Sequence, residues 1–154
     1  MTARDWHLID AFHQRCGQAS LLLRWGRTRF AHRDFSRLLT HAECWIGLDA
    51  GEKPVGLVCV GPVSHQKGVV DLGLQVADAR QHQGIGTALA QYAADTAREG
   101  GAHTLTAYTQ ASHASMLRIL DHIGPARHIR DGPYVEVHVA LDPVSPACQE
   151  PAAR

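Results

Sequence analysis

This chain of 154 residues has no excess charge of either sign: fifteen basic and fifteen acidic residues leave a formal net charge of zero. A broad electrostatic surface for nucleic acid or anionic membrane is therefore not expected. Lysine is nearly missing, occurring only as Lys53 and Lys67. No apolar run approaches bilayer-spanning length, and the opening MTARDWHLID is too polar for a secretion signal. The four cysteines, Cys16, Cys44, Cys59 and Cys148, form neither CxxC pairs nor a dense framework, so free thiols in a cytoplasmic protein are the expectation. Eleven histidines fall in no HxH, HExxH or Cys/His ligand spacing, so no metal site is expected.

What is present is a regular alternation of elements. Residues 5–16 put Trp6, Ile9, Phe12 and His13 on one helical face behind Asp5 as N-cap. A second helical region covers 19–41, broken near Gly26, with Phe35, Leu38 and Leu39 at helical spacing. The period then changes to strands over 43–50, 55–63 and 69–77, separated by turn signals at GEKP and SHQKG. A long helix follows to residues 99–101, with Ile85, Leu89, Tyr92, Ala93 and Thr96 marking its face. A strand at 103–109, a helix at 112–124 and a hairpin over 126–141 turning at DGP complete the order. The pattern implies one α/β domain over 1–141, with a mixed sheet and a parallel crossover around the long helix. The Pro/Ala-rich segment 142–154 is expected to be an unstructured tail.

The informative stretch is VADARQHQGIGTALAQYAADTA, residues 76–97. It runs from an apolar strand, through Gln81, His82 and Gln83, past Gly84 and Gly86, into a helix. A helix N-terminus behind a glycine turn offers free backbone N–H groups and the positive end of the helix dipole, a combination that binds phosphate oxygens. Gly84 and Gly86 let an anion approach the main chain, and Gln81 and Gln83 can donate further hydrogen bonds. The Rossmann fingerprint fails because its last glycine position is Leu89, and the Walker A loop fails because Thr87, not Lys, follows Gly86.

The pattern V-x-x-x-x-[QR]-x-x-G-x-[GA] is met by Val76, Gln81, Gly84 and Gly86. It resembles the acetyl-CoA signature of the Gcn5-related N-acetyltransferase (GNAT) superfamily. The element order also resembles that α/β fold, a mixed central sheet with splayed parallel strands flanked by helices, here without its usual first strand. In pattern the chain is nearest to bacterial protein-lysine acetyltransferase-like domains, from an acid before the motif and the Met116-Leu117 pair in the late helix.

The resemblance implies transfer of acetyl from acetyl-CoA to an amine by direct attack, in a gap between strands 69–77 and 103–109. Leu74 and Val76 would bind the pantetheine arm and polarise the thioester through their backbone groups; Gln81, His82, Gln83, Gly84, Ile85, Gly86 and Thr87 would bind the diphosphate. Asp71 stands where the lysine-acetyltransferase subgroup carries its base, with Glu43 as a second candidate. The family's tyrosine acid is replaced by Leu120, its helix-opening Asn by His113, and its Gly-Phe by Gly124-Pro125. Tyr108 and His113 are then the nearest acids, Tyr134 a more distant one, and His113 also a pantetheine contact. Cys44 and Cys59 read as packing groups, so no acyl-enzyme is invoked.

For the acceptor, the early helices carry Arg24, Arg27, Arg29, His32, Arg33 and Arg37 against a single Asp34. Such a face is either solvated or aimed at an acceptor bearing carboxylate or phosphate, which arginine matches bidentately. The leading expectation is a small-molecule amine, of aminoglycoside-antibiotic or amino-acid-like kind. A protein lysine and a non-catalytic acetyl-CoA-binding module are the alternatives, with no nucleic acid or membrane partner and a homodimer left open.

Overall fold

The computed structural model describes residues 1–141; the expected tail, 142–154, lies outside them. Helices α1 (Trp6–His13), α2 (Gln18–Trp25) and α3 (His32–Leu39) precede strands β1 (Glu43–Leu48), β2 (Pro54–Pro62) and β3 (Val69–Val76). Helix α4 (Ile85–Glu99), strand β4 (Thr104–Gln110), helix α5 (Ala114–Ile123) and the hairpin β5 (Ala126–Asp131) and β6 (Tyr134–Ala140) follow. The sheet order is β1-β2-β3-β4-β6-β5, antiparallel except for β3 beside β4. Among the described residues no strand precedes β1, as expected.

Local chemistry explains where the elements stop. Gly26 ends α2 in the left-handed region (φ 66°), where glycine carries no β-carbon penalty. Strand β1 stops at Leu48 rather than residue 50 because the Asp49 carboxylate accepts the Gly51 and Lys53 amides, building a tight turn. Asp5 does precede α1, but its carboxylate reaches back to the Thr2 amide instead of capping the helix forward.

Two apolar layers cover the sheet. On one face α4 and α5, the latter through Leu120, pack on Val58, Leu72, Leu105 and Val137. On the other, α1–α3 bury Ile9, Phe12, Leu21 and Phe35 against Cys44, Leu57 and Cys59. The buried stripe of α4 is Gly86, Ala90, Ala93 and Ala94; of the expected face, Ala93 is buried and Ile85 and Leu89 pack on the sheet, while Tyr92 is 54% exposed. Small side chains bring the helix axis close to the strands, and Tyr92 is left to meet Trp45 edge-on.

The parallel pair decides the site. β3 and β4 are in register only at Val69–Thr104, Val70–Leu105 and Asp71–Thr106, after which they diverge. β2, by contrast, follows β3 through Gly56–Val76. The Ala77 amide donates to Val55 of β2, so the main-chain groups of Val76, Leu74 and Leu72, at alternate positions, point away from β2 into the gap.

Candidate active site

A cavity of about 550 Å³ occupies this gap. Its walls come from Leu72 to Val76 of β3, the loop before α4, the end of β4, the first turns of α5, and Ser20, Leu23 and Arg24 of α2. Residues 72, 74 and 76 project toward α4 and α5, while 71, 73 and 75 face α2.

Of the residues singled out from sequence, Leu74, Val76, Gln81, His82, Gly84, Gly86, Thr87, Tyr108 and His113 line the cavity. Asp71, Gln83 and Ile85 do not. The Gln83 side chain accepts from Arg80 Nε at 3.1 Å, and Arg80 in turn grips Asp49 at 3.0 Å, so Gln83 builds the loop from behind. Gln81 Nε2 donates to the Val76 carbonyl at 3.3 Å, closing the strand end onto the loop. Ile85 packs toward Gly56 of β2.

The two glycines serve different ends. Gly84 is left-handed (φ 81°) with nothing within 4 Å of an added β-carbon, so its open side is the approach an anion needs. Gly86 is a packing glycine: a β-carbon there would meet Ile119 of α5 at 3.0 Å. His82 also lies at positive φ (60°), a strained state for a residue with a β-carbon. The loop is joined to the early helices through Asp78, whose carboxylate accepts the Gly17 amide at 2.9 Å and the Ser20 hydroxyl at 2.7 Å. That carboxylate satisfies the open N-terminus of α2 from about sixty residues away, fixing α2 relative to the glycine loop before α4.

The titratable groups are placed unevenly. Asp71 sits at the last register pair before the strands part. Desolvation raises its carboxyl above the ordinary range, opposed by the hydrogen bond from Thr106 (3.3 Å) and by the Arg24 charge, with Glu136 adding repulsion. The residue as a whole is exposed, so this remains a partly solvated base. His113 stands at the N-cap of α5 with Nδ1 3.2 Å from the Thr109 hydroxyl, and burial lowers its pKa. Tyr108 is 55% exposed and stacks on Tyr134; its hydroxyl donates to Asp131 at 2.8 Å, which raises its pKa. Glu43 lies on the edge strand, away from this cavity.

Cys44 and Cys59 oppose each other across β1 and β2, both buried and free, and burial pushes the Cys16 thiol up to about 12. None lines the cavity. Among the described residues no group of His, Cys, Asp or Glu is arranged to hold a metal ion, and no helix is long and apolar enough to cross a membrane.

Sequence reasoning left Gly73, Gln75 and Arg118 off the site and knew Arg24 only as one of several arginines. Gln75 is 7% exposed and accepts from the Trp25 indole at 2.9 Å. The Arg24 guanidinium lies over the Trp25 ring at 4.1 Å and against Gly73. The only advance signal was the mismatch of a polar Gln and a Gly inside an apolar strand.

Comparison with known proteins agrees with this geometry. The model of the acetyltransferase (GNAT) family matches residues 6–124. The fold is similar to the GNAT domain of S. lividans PAT (18% identity, TM-score 0.79, covering 91% of this chain and 87% of that one). It is also similar to the PaiA N-acetyltransferase of Thermoplasma acidophilum in complex with coenzyme A (11% identity, TM-score 0.73, 91% and 95% covered). A third similar structure is the ribosomal-protein-S18-alanine N-acetyltransferase of Escherichia coli (16% identity, TM-score 0.69, 96% and 94% covered). No curated protein matches the sequence.

Proposed function

Because the chain belongs to the acetyltransferase (GNAT) family and is an acetyl-CoA-dependent N-acetyltransferase, we propose that it acetylates a primary amine of a small molecule by direct attack. The observation that carries the reading is the open gap between β3 and β4, whose inner peptide groups face a cavity partly closed by α2. A concave site of this volume suits a small ligand, for which about 300–1,000 Å³ is usual.

The fit to the co-substrate rests on Gly84, where the main chain is bare, and on the amides from Gln81 to Thr87 at the start of α4. Bound there, acetyl-CoA supplies an activated acetyl group as a thioester. Leu74 and Val76 offer main-chain donors to the pantetheine arm and the carbonyl oxygen, stabilising charge that develops during attack. Asp71 takes the proton of the incoming amine, directly or through water; a raised pKa makes it a stronger base than an ordinary carboxylate. Neither candidate acid is poised to give a proton, because the Tyr108 proton is committed to Asp131 and burial favours neutral His113, so the coenzyme A thiolate leaves without a strong acid. Three buried free thiols fit a reducing compartment, the cytoplasm.

A protein lysine is the second reading, favoured by the exposed position of Asp71 at the strand junction. Thiol release from acetyl-CoA against a panel of small amines tests the first reading, and intact-mass shifts on candidate proteins test the second. Silence on every small amine together with acetylated protein would reject the first.

A further inference from the structure

We propose that Arg24, seated over Gly73, and Gln75 form a site for a carboxylate on the acceptor, so that the preferred amine is that of an aminocarboxylate such as an amino acid. The inference rests on the acetyl-transfer reading above and adds the acceptor's second functional group.

Arg24 occupies the place of a missing side chain. A β-carbon built on Gly73 would collide with Arg24 Nη2, so only glycine leaves the guanidinium room against the strand. The ion pairs among the described residues do not include Arg24. It is held by the Trp25 ring, a support that orients the charge without neutralising it. Gln75 supplies a second donor on the same strand face. Its Oε1 is fixed by the Trp25 indole at 2.9 Å, and that bond turns Nε2 away with no protein partner, although the residue is 7% exposed. Buried donors are almost always satisfied, so an unpaired one on the same strand face as a guanidinium with no carboxylate partner, whose charge is felt by the Cys59 thiol and by Asp71, marks a place for an acceptor oxygen.

Spacing sets the ligand's size. Residues 71, 73 and 75 share the face toward α2, each about 7 Å from the next along the strand. The row reads negative at Asp71, positive over Gly73, and amide donor at Gln75, complementary to a zwitterion. Leu74, whose main-chain group faces the gap, lies between the last two. A molecule whose amine and carboxylate lie a few bonds apart reaches both. A bare diamine satisfies Asp71 with one amine but brings its second cation against the Arg24 charge with no carboxylate of its own to offset it.

The test compares matched pairs by thiol release and product mass: L-leucine with isopentylamine, L-phenylalanine with phenethylamine, and aminomethylphosphonate as a third anionic arm. Wild-type kcat/KM is expected to favour the aminocarboxylate by about 10- to 100-fold, the range of a charge-assisted hydrogen-bond pair. Arg24→Gln collapses that ratio, mainly through acceptor KM, and Arg24→Lys restores part of it. Gly73→Ala is an independent arm. It evicts only the flexible end of Arg24, so the fold survives, checked by thermal melting, while the ratio falls as in Arg24→Gln.

Equal turnover of both partners in each pair, or a preference for the plain amines, overturns the carboxylate site and leaves acetyl transfer standing. A preference for the phosphonate overturns the assignment to carboxylate. Thiol release with none of these amines but with another amine of the panel overturns this inference alone; silence on the whole panel together with acetylated protein overturns the small-molecule reading with it.

Discussion

His13 offers a prediction with a number attached. It faces inward from α1, is 8% exposed, and sits among Phe12, Trp25 and Phe30 with ring centroids at 5.4, 5.9 and 5.0 Å. Neither ring nitrogen has a partner. Burial pulls its pKa from 6.5 down to about 4, the Arg24 charge assisting and Asp10 opposing. The folded value is depressed, so the unfolded chain takes up the proton first. Stability is therefore full above pH 6.5 and is lost as pH falls from 6.5 toward 4. Over the whole window the loss is roughly 3 kcal/mol, and about 2 kcal/mol is gone by pH 5. Urea unfolding at pH 7 and pH 5, in wild type and His13→Leu, isolates the effect, because the carboxylates that also titrate are common to both. The variant is expected to lose about 2 kcal/mol less than wild type on acidification. Its stability at pH 7 is expected to be no lower, since two unpartnered buried nitrogens are removed. Equal acid losses in the two proteins would refute the claim that His13 is held neutral by burial.

Three further outcomes follow from the site. Gly84→Ala forces a β-carbon into the left-handed region, costing about 1–2 kcal/mol of stability, and raises the KM for acetyl-CoA, read by melting and by initial rates. Asp78→Ala removes the carboxylate that anchors α2 to the loop before α4; a loss of about 1–2 kcal/mol is expected, with acceptor KM raised more than kcat is lowered. Asp71→Asn lowers kcat by about 10²–10⁴-fold and abolishes the acid limb of the pH–rate profile. In wild type that limb falls as pH drops through the Asp71 pKa, which lies above the ordinary carboxylate range.

Elements whose signals are local were legible from the chain alone. The glycine turn before α4 could be read because a left-handed Gly84 and free helix amides are backbone requirements written at fixed spacing. The divergence of β3 and β4 followed from the family resemblance and is seen in a register that ends at Asp71 and Thr106. What could not be read depends on residues far apart in the chain. Arg24 looked like any exposed arginine until it met Gly73 across nearly fifty residues. Gln75 gains its meaning only from the Trp25 indole. Gly86 and Gly84 look alike in a motif, yet one accommodates Ile119 and the other faces open space. On the α4 face Ile85, Leu89 and Ala93 meet the sheet as expected, but Tyr92 is exposed, because close packing gives the centre of the stripe to Ala90, Ala93 and Ala94.

The account stands on main-chain groups: amides from Gln81 to Thr87 for the diphosphate, and the inward peptide groups of Leu74 and Val76 for the pantetheine arm. A crystal structure of the protein with coenzyme A tests it most directly. Density for the diphosphate against the Gly84 loop, continuing as an extended arm between β3 and β4, is the predicted result. Coenzyme A bound elsewhere, or β3 and β4 paired along their full length with the loop closed, would contradict it.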